Sequence, residues 1–352
     1  MTILVTGAAG FIGSNFVMNW LDKIDENIVS LDMLTYAGNL ENLSSLSNDS
    51  RHFFIKGDIS DSELISSILN KYKPRAIINF AAESHVDRSI STPENFIQTN
   101  ILGTFRILQN TLIYWESLGK IDKKNFRFVQ ISTDEVYGDL EVESEKFTED
   151  NKYLPNSPYS ASKAASDHLV RAWHHTYKLP VITTNCSNNY GPFQFPEKLI
   201  PLCIINAISN KPIPIYGDGK QTRDWLYVKD HCEAIRAVLE NGLVGDTYNI
   251  GGDSEKTNIE VVELICKLLD SVQPRTDEVT YLKQISFVKD RPGHDRRYAI
   301  DSSKIQKELS WKPKETLASG MKKTIKWYLD NDEWIKNVVS GDYKKWIDKH
   351  YS

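Results

Sequence analysis

Two adjacent carboxylates, Asp134 and Glu135, follow a Ser-Thr pair that ends a largely apolar run, residues 126–131. Further along the chain, Tyr159 and Lys163 are four residues apart. A protonated carboxyl can act as an acid beside a carboxylate that acts as a base, and a phenol near an ammonium can take a proton from an alcohol. This set could oxidise an alcohol and also eliminate water, which plain oxidation does not require.

The Tyr-Lys pair predicts a proton acceptor on a helix. At this spacing both side chains lie on one helical face. An ammonium near a phenol favours the phenolate, so we expect Lys163 to lower the pKa of Tyr159 from about 10 towards the operating pH. Tyr159 could then accept an alcohol proton while hydride leaves the carbon. For such a pair alone, a solvated helix face is the alternative.

The two carboxylates need different protonation states to act as acid and base. Neighbouring carboxyls in a desolvated pocket can separate their pKa values in this way. The residues alone leave open which of Asp134 and Glu135 is the acid. On a strand they would point to opposite faces, so we predict a chain turn directly after Thr133. The alternatives are a solvated acidic turn and a Thr133 that bonds its own backbone.

A glycine-rich turn, Gly7-x-x-Gly10-x-x-Gly13, follows the first apolar run. Glycine lets backbone N–H groups approach a pyrophosphate, and a helix N-terminus adds partial positive charge. Asp32 ends the second apolar run, about twenty residues further on, where an acidic residue binds ribose hydroxyls and repels a 2′-phosphate. The pattern predicts NAD rather than NADP. A structural turn and a capping aspartate are the alternatives.

Short apolar runs alternate with helical patterns, which favours βαβ units and a parallel sheet. The predicted strands are Ile3–Val5, Ile28–Leu31, Phe53–Ile55, Ala76–Phe80, Phe126–Ile131 and Val181–Thr184. Helical patterns run from Pro93 to about Trp115, and from Pro158 to about Tyr177 after the predicted N-cap Ser157. We therefore predict an α/β fold, with a Rossmann-type doubly wound parallel sheet and a smaller C-terminal substrate-binding lobe.

The predicted domains interleave. Residues 1–188 are assigned to the NAD-binding Rossmann domain, and residues 189–352 mostly to the substrate-binding lobe, because prolines become frequent there. Two strand-like runs with a helix between them suggest that residues 222–250 return to the first domain. The tail from Trp334 to Ser352 is predicted to pack as a last helix.

Composition narrows the function classes. The chain has 352 residues and a formal net charge of −5, which gives no reason to expect nucleic acid or membrane as a partner. Four cysteines without CxxC spacing argue against a disulfide framework, and we expect no metal site. No apolar run approaches the ~18–20 residues of a membrane span. The first strand begins at once, leaving no room for a signal peptide, so we expect a cytoplasmic protein.

Taken together, these motifs resemble the extended short-chain dehydrogenase/reductase family over essentially the whole chain. The hallmarks are TGAAGFIGS, the Ser-Thr strand end and YSASK; more specific motifs occupy residues 81–89, 132–138, 185–192, 217–225 and 290–295. As a set they are similar to family members that dehydrate a nucleotide sugar. The resemblance implies an NAD-dependent homodimer that converts dTDP-glucose into its 4-keto-6-deoxy form, on a route to rhamnose and other deoxysugars.

The same resemblance implies residue roles. Tyr159 would remove the 4-hydroxyl proton while hydride passes from C4 to NAD, and Lys163 would hold the nicotinamide ribose. Glu135 would take the C5 proton, and Asp134 would protonate the departing 6-hydroxyl before hydride returns to C6. Thr133 would bond the 4-hydroxyl or the developing ketone.

Binding residues are implied by motif position. For the cofactor they are Gly7, Gly10, Phe11, Ile12, Gly13, Asp32, Met33, Leu34, Thr35, Asp58, Ile59, Phe80, Ala81, Ala82, Glu83, Ser84, Thr99, Tyr159, Lys163 and Asn189. For the substrate they are Ser84, Thr133, Asn188, Lys198, Leu199, Pro214, Ile215, Tyr216, Arg223, Asn258, Asp290, Arg291, His294 and Tyr343. Arg223, then Lys198 and Arg291, are expected on the diphosphate, because arginine grips phosphate in a bidentate fork. A surface ion pair is the alternative for any one arginine.

Other functions stay open at this point. They are another NAD-dependent 4-epimerase, decarboxylase or dehydratase of sugar nucleotides, and a non-catalytic NAD-sensing protein on the same fold. A sensor needs the glycines and Asp32, but not the carboxylate pair together with Tyr159 and Lys163. The two long helical patterns are expected to pair in a four-helix dimer interface; the alternative is that they only cover the sheet.

Overall fold

The structure is a computed structural model that describes residues 1–290 and 293–339. Its strands are β1 (Thr2–Thr6), β2 (Asn27–Asp32), β3 (His52–Lys56), β4 (Ala76–Asn79), β5 (Arg127–Thr133), β6 (Val181–Cys186), β7 (Asn188–Tyr190), β8 (Ile213–Tyr216), β9 (Thr222–Tyr227), β10 (Thr247–Ile250), β11 (Glu255–Thr257), β12 (Ile285–Val288) and β13 (Arg297–Tyr298). The six predicted strands correspond to β1–β6.

The helices are α1 (Phe11–Lys23), α2 (Ser62–Tyr72), α3 (Val86–Ser91), α4 (Pro93–Phe96), α5 (Thr104–Ser117), α6 (Lys120–Asn125), α7 (Pro158–Tyr177), α8 (Leu199–Ile208), α9 (Val228–Asn241), α10 (Asn258–Val272), α11 (Ser303–Leu309), α12 (Leu317–Asp330) and α13 (Asp332–Val338). Shorter 3-10 segments occupy Leu40–Leu46, Asp134–Tyr137 and Tyr281–Gln284, and a π-helical segment occupies Ile97–Gly103. Of the predicted last helix, residues 340–352 lie outside the described residues.

A seven-stranded parallel sheet forms the centre of the first domain, in the order β10-β6-β5-β4-β1-β2-β3. Helices α1 and α9 pack on one face, and α2, α5 and α7 on the other. Strands covered on both faces are continuously apolar, which explains the short apolar runs in the sequence. The predicted α/β fold with a Rossmann-type parallel sheet is confirmed.

The carboxyl ends of the central strands lie side by side at one edge of the sheet. Buried side chains tie three of these ends together: Thr6 Oγ1 donates to Asn79 Oδ1 at 2.6 Å, and Asn79 Nδ2 donates to Gln130 Oε1 at 2.8 Å. The segments that follow these strands therefore emerge together, where open α/β sheets bind ligands.

The C-terminal part of the chain has its own apolar core around α8, α10 and α12. In its sheet, β9 pairs with β7, β11 and β13, while β8 pairs with β12. Within residues 222–250, β9 therefore belongs to this second sheet, whereas β10 extends the first. No helix within residues 1–290 and 293–339 is long and apolar enough to cross a membrane.

The helix predicted from Pro93 begins at that residue but is not uniform. It runs through α4, the π-helical segment and α5, and π-helical turns often occur at functional sites. Asn100, in the π segment, receives a hydrogen bond from Glu83 N at 2.9 Å and donates to Ser162 Oγ at 2.8 Å. It thereby joins the segment after β4 to α7. Hydrophobic periodicity carried no signal for this irregularity.

Candidate active site

A cavity opens at the carboxyl edge of the seven-stranded sheet. Its walls are formed by the segments that follow β1, β2, β4, β5 and β6, by the first turn of α7 and by residues 194–198. Most of the predicted cofactor residues and the predicted catalytic residues line this cavity. The cavity is therefore the candidate active site.

The glycine-rich loop forms one wall. Gly7 adopts a φ of +63°, and a Cβ there would lie 2.7 Å from Ala81 N, whereas a Cβ on Gly13 would lie 2.2 Å from Gly7 O. Helix α1 begins after Gly10, which offers no side chain to cap the first turn. Backbone N–H groups of a helix N-terminus thus face the cavity without a side chain in front of them, an arrangement that fits a pyrophosphate.

Asp32 lies beside this loop at the end of β2. Its Oδ2 accepts a hydrogen bond from Ala9 N at 2.9 Å, and its Oδ1 accepts one from Leu34 N at 2.8 Å. Burial raises the pKa of Asp32, while these backbone N–H groups oppose the rise. The carboxyl is fixed at the position where a dinucleotide fold binds a ribose, so the residues present fit NAD.

The carboxylate pair occupies a single 3-10 turn. β5 ends at Thr133, and the turn Asp134–Tyr137 follows at once, with Thr133 Oγ1 accepting a hydrogen bond from Glu135 N at 3.3 Å. Both carboxylates line the cavity. The predicted turn after Thr133 is confirmed, and it removes the strand alternation that would have separated the two side chains.

The two carboxyls differ in environment. Asp134 is 2% exposed, and its Oδ2 has no hydrogen-bond partner among the residues that the structure describes, whereas Glu135 is half-buried. Burial, followed by the charges of Glu135 and Asp224, raises the pKa of Asp134 well above its usual value. Asp134 therefore keeps a proton to higher pH than an ordinary aspartate.

Tyr159 and Lys163 project from α7 into the same cavity. α7 begins as predicted, with Ser157 Oγ accepting a hydrogen bond from Ser160 N at 3.0 Å. The predicted lowering of the Tyr159 pKa is wrong for the chain without ligands. Burial and the Glu135 charge raise it well above 10, and the Lys163 ammonium instead donates to Ile131 O at 2.7 Å.

The predicted cofactor residues follow the cavity closely. Those that line it are Gly7, Gly10, Phe11, Ile12, Gly13, Asp32, Met33, Thr35, Asp58, Ile59, Phe80, Ala81, Ala82, Glu83, Ser84, Thr99, Tyr159, Lys163 and Asn189. Leu34 instead contributes its backbone N–H to Asp32. Their contacts with NAD stay a prediction.

The predicted substrate residues divide into two groups. Ser84, Thr133, Asn188 and Lys198 line the cavity, and Lys198 Nζ donates to Ser84 O at 3.0 Å. The others that the structure describes belong to the C-terminal lobe: Leu199, Pro214, Ile215, Tyr216, Arg223, Asn258, Asp290 and His294. Arg291 and Tyr343 lie outside the described residues. Ile215 is buried in the core of the lobe, and Asn258 begins α10.

Three of the lobe residues form a polar cluster, Tyr216, Asp290 and His294. His294 Nδ1 lies 2.6 Å from Asp290 Oδ1, and the rings of Tyr216 and His294 are 6.2 Å apart, edge to face. Tyr216 OH donates to Asp87 Oδ2, on α3, at 3.3 Å. This cluster joins the lobe to the segment that follows β4.

Arg223 is not a surface residue. It is 5% exposed, its guanidinium lies 4.4 Å from the ring centroid of Tyr298, and its Nη2 donates to Asp295 O at 3.0 Å. The Arg223 charge opposes the rise in the pKa of Asp134, so the guanidinium is close enough to act electrostatically on that carboxyl. A surface ion pair, the alternative considered for this arginine, does not describe it.

Several cavity residues had not been singled out as site residues. They are Leu31, Ala37, Gly38, Gly57, Ile131, Ser132, Cys186, Ser187, Gln194, Phe195 and Glu197. Cys186 and Ser187 directly precede Asn188, so the carboxyl end of β6 was a signal for them. Glu197 accepts a hydrogen bond from Arg88 Nε at 3.0 Å across 109 residues, a contact that no local pattern announces.

A family model described as GDP-mannose 4,6 dehydratase matches residues 4–324. A dTDP-glucose 4,6-dehydratase from Xanthomonas campestris is 58% identical over 97% of both chains, and one from Salmonella typhimurium is 56% identical over 100% of this chain and 99% of its own. The chain belongs to the dTDP-glucose 4,6-dehydratase family.

Solved structures agree with this family. That of the dTDP-glucose 4,6-dehydratase from Bacillus anthracis, in complex with NAD, has a TM-score of 0.85 and 47% identity, covering 96% of this chain and 99% of that one. UDP-glucose 4-epimerase from Thermotoga maritima is similar too, with a TM-score of 0.82 and 26% identity over 94% of this chain and 99% of its own. Since dehydratase and epimerase share the fold, the residues at the site have to distinguish them.

Proposed function

We propose that this chain removes water from dTDP-glucose and yields the 4-keto-6-deoxy sugar nucleotide, with NAD bound as its cofactor. The observation that carries the proposal is the single turn that brings Asp134 and Glu135 into one cavity with Tyr159. An epimerase needs no such pair, whereas elimination needs an acid and a base. Relatives at 54–58% identity carry the same activity in their names.

The cofactor would be held by residues already placed along the cavity. The α1 N-terminus would face its pyrophosphate, Asp32 its adenosine ribose and Lys163 its nicotinamide ribose. The cofactor bound there would supply the hydride acceptor for C4 of the sugar and the hydride donor for C6. The dehydratase structure from Bacillus anthracis contains NAD, and that from Streptomyces venezuelae contains NAD and a TDP ligand, which supports this use of the site.

The carboxylates would act on a sugar oxidised at C4. A ketone at C4 makes the C5 proton acidic, because the resulting carbanion is delocalised into the carbonyl. Glu135 accepts this proton, and Asp134 donates a proton to the departing 6-hydroxyl. The raised pKa of Asp134 supports its role as the acid, since a carboxyl must hold a proton to donate one.

Tyr159 would act at the 4-hydroxyl. Burial keeps the phenol protonated in the chain alone. A positive charge brought by ligands or neighbours therefore has to lower its pKa before Tyr159 can accept a proton. Lys163, one turn away, is the residue that can favour the phenolate once its ammonium turns from Ile131 O towards the ligands. Thr133 would bond the 4-hydroxyl or the ketone.

The diphosphate would be neutralised locally. Lys198, which lines the cavity, and Arg223, whose charge acts on Asp134, would supply positive charge, although the chain as a whole is acidic. Arginine offers a bidentate fork and lysine a point charge, and both suit phosphate oxygens.

The test is turnover of dTDP-glucose with NAD in deuterated water, followed by NMR and mass spectrometry. We expect a 4-keto-6-deoxy product with deuterium at C5, because Glu135 exchanges its proton with solvent. Turnover of UDP-, CDP- or GDP-sugars instead would correct the nucleotide. A galactose product would indicate an epimerase, and inactivity on all of these substrates would favour the NAD-sensing protein.

We also propose that the chain forms a homodimer and that it is located in the cytoplasm. Apolar side chains are exposed on the two helical segments expected to pair: Ile97 is 44% exposed, Ile113 60% and Tyr177 47%. Burying such side chains against a second copy would stabilise a dimer. Light scattering at low micromolar concentration should give twice the chain mass; a monomer at all concentrations would contradict the dimer.

A further inference from the structure

The roles proposed above give no part to Asp167, a buried carboxyl beside the site. It lies on α7, one turn beyond Lys163, which is itself one turn beyond Tyr159, so the three side chains share a helix face. Asp167 is 4% exposed. Ionisable carboxyls are rarely buried without a partner or a task.

The contacts of Asp167 point towards the catalytic strand. Ser132 Oγ, directly before Thr133, donates to Asp167 Oδ2 at 2.5 Å. The other oxygen, Oδ1, is buried and has no hydrogen-bond partner within residues 1–290 and 293–339. A carboxylate with one of its oxygens unpaired is costly to bury, so a nearby positive charge has to compensate.

Lys163 provides that charge. Its ammonium is buried and donates to Ile131 O at 2.7 Å. Burial lowers the pKa of Lys163, and the Asp167 charge is the first of the influences that oppose this. In turn, burial raises the pKa of Asp167 to about 7, against the opposing effect of Lys163. Burial alone disfavours the charge on each group, and the charge on each group favours the charge on the other.

Other titratable groups surround the pair. Among the described residues, the turn after β5 contributes Asp134, Glu135 and Tyr137, and the following loop contributes Tyr153. Cys186 lies on β6, and Tyr159 and His168 lie on α7. Burial raises the pKa of the Cys186 thiol and of the phenols of Tyr137 and Tyr153, which keeps all three neutral. Of the charges that raise the pKa of Lys163, that of Asp167 is the largest, and Asp167 lies one helical turn away.

We propose that Asp167 is a positioning residue of this enzyme: its carboxylate keeps the Lys163 ammonium charged in a dry site and holds Ser132 beside it. The inference rests on the proposed function, because it assigns Asp167 a part in the reaction through Lys163. Asp167 is not among the residues that line the cavity, so it would act through Lys163 and Ser132. Its hydrogen bond with Ser132 links the end of β5 to α7, the two elements that carry Thr133 and Tyr159.

The experiment compares the pH dependence of kcat and KM in four variants of the full-length enzyme. Asp167→Asn removes the charge but keeps an oxygen that can accept from Ser132, whereas Asp167→Glu keeps the charge. Ser132→Ala removes only the hydroxyl contact. Asp230→Asn is the matched control. Asp230 is a buried aspartate on α9, away from the site, and it accepts hydrogen bonds from the backbone N–H groups of residues 314 and 315.

We expect Asp167→Asn to lower kcat about tenfold or more with little change in KM, and to move the alkaline limb of kcat to lower pH by about one unit or more. The sign follows because Lys163, without its counter-charge, loses its proton at a lower pH. Asp167→Glu should restore the position of the limb. Ser132→Ala should lower kcat without shifting the alkaline limb of the kcat profile. Asp230→Asn should lower Tm and should also leave the position of that limb unchanged.

An Asp167→Asn profile whose limb coincides with that of the wild type would overturn the proposal, whatever its height, because only a structural role would remain. A limb that moves equally in Ser132→Ala would overturn it too, since the hydroxyl rather than the charge would then be responsible. Wild-type enzyme that forms no 4-keto-6-deoxy product would be a failure of the proposed function instead. NAD content and Tm of each variant identify loss of fold.

Discussion

The residues predicted to bind or act on ligands fall into two halves that are built differently. The sheet-edge half, made of the glycine loop, Asp32, the end of β5 and the start of α7, lines the cavity, is mostly buried and is held by short contacts between neighbouring elements. The lobe half is represented by the cluster Tyr216, Asp290 and His294; Tyr216 is half-buried and donates to Asp87 of the first domain, and Asp290 is exposed. We propose that the chemistry takes place in the drier sheet-edge half and that the lobe half recognises the nucleotide.

The difference has a physical basis. Burial raises the pKa of Asp134 and Tyr159 and lowers that of Lys163, so the sheet-edge half moves the pKa values of these groups away from their ordinary values. The lobe half would instead offer hydrogen bonds and charge to a nucleotide. Substitutions in the two halves should therefore have different kinetic signatures.

The largest expected effect is that of Tyr159→Phe. Loss of the phenolic proton acceptor should reduce kcat about 10²- to 10⁴-fold. Its counterpart in the lobe half, Tyr216→Phe, should mainly raise KM, because it removes a hydroxyl contact and no proton transfer. Steady-state kinetics on both variants test the comparison, and a large kcat loss in Tyr216→Phe would break it.

A smaller effect, about 10²-fold in kcat, is expected of Glu135→Gln. Oxidation at C4 should continue while removal of the C5 proton is slowed. Reduced nicotinamide should then accumulate, and deuterium uptake at C5 should be slower than in the wild type. Wild-type deuterium uptake in this variant would contradict the assignment of Glu135 as the base.

Gly13→Ala should disturb the cofactor wall of the sheet-edge half. The added Cβ would lie 2.2 Å from Gly7 O, a backbone atom that cannot move aside cheaply. We expect a loss of about 1–3 kcal/mol in the free energy of unfolding, measured by denaturant titration, together with weaker NAD retention. Gly10→Ala is the matched control, because its added Cβ would lie 3.3 Å from Gly7 O. Equal effects of the two variants would contradict close packing at Gly13.

The smallest effect is a pH-dependent gain in stability. Because burial raises the pKa of Asp134 above its unfolded value of about 3.9, its contribution to stability is full below that pH and is lost as the pH rises. Asp134→Asn should therefore raise Tm increasingly from about pH 4 upwards while activity falls. Asp218→Asn, at an exposed carboxyl whose pKa is lowered by the Lys220 backbone N–H and by Arg296, should lower Tm instead. A change of Tm in the same direction in both variants would contradict this expectation.

Local motifs made much of the sheet-edge half predictable. The glycine spacing, Asp32 and the Ser-Thr strand end each lie within a few residues of a strand, so the parallel sheet brings them together automatically. The turn after Thr133 followed from the alternation of strand side chains. These features depend on neighbours in sequence, and a sequence displays such neighbours directly.

Other features depended on packing between distant segments. The pKa of Tyr159 moved opposite to the prediction because burial outweighs Lys163, and burial is set by the whole fold. The contact between Ser132 and Asp167 spans 35 residues, and that between Arg88 and Glu197 spans 109. Helical periodicity identified both helices, but not the π segment that places Asn100 against Glu83 and Ser162.

The glycine loop also has a partner at the far end of the described chain. Asn42 Nδ2 donates to Ala9 O at 2.9 Å, and its Oδ1 accepts from Trp334 Nε1, on α13, at 2.8 Å. Residues 42 and 334 are 292 positions apart, so a ribosome must make almost the whole protein before this buried amide is satisfied. A nascent chain stalled before residue 334 would already carry every glycine of the loop and still lack the contact that fixes Asn42 beneath it.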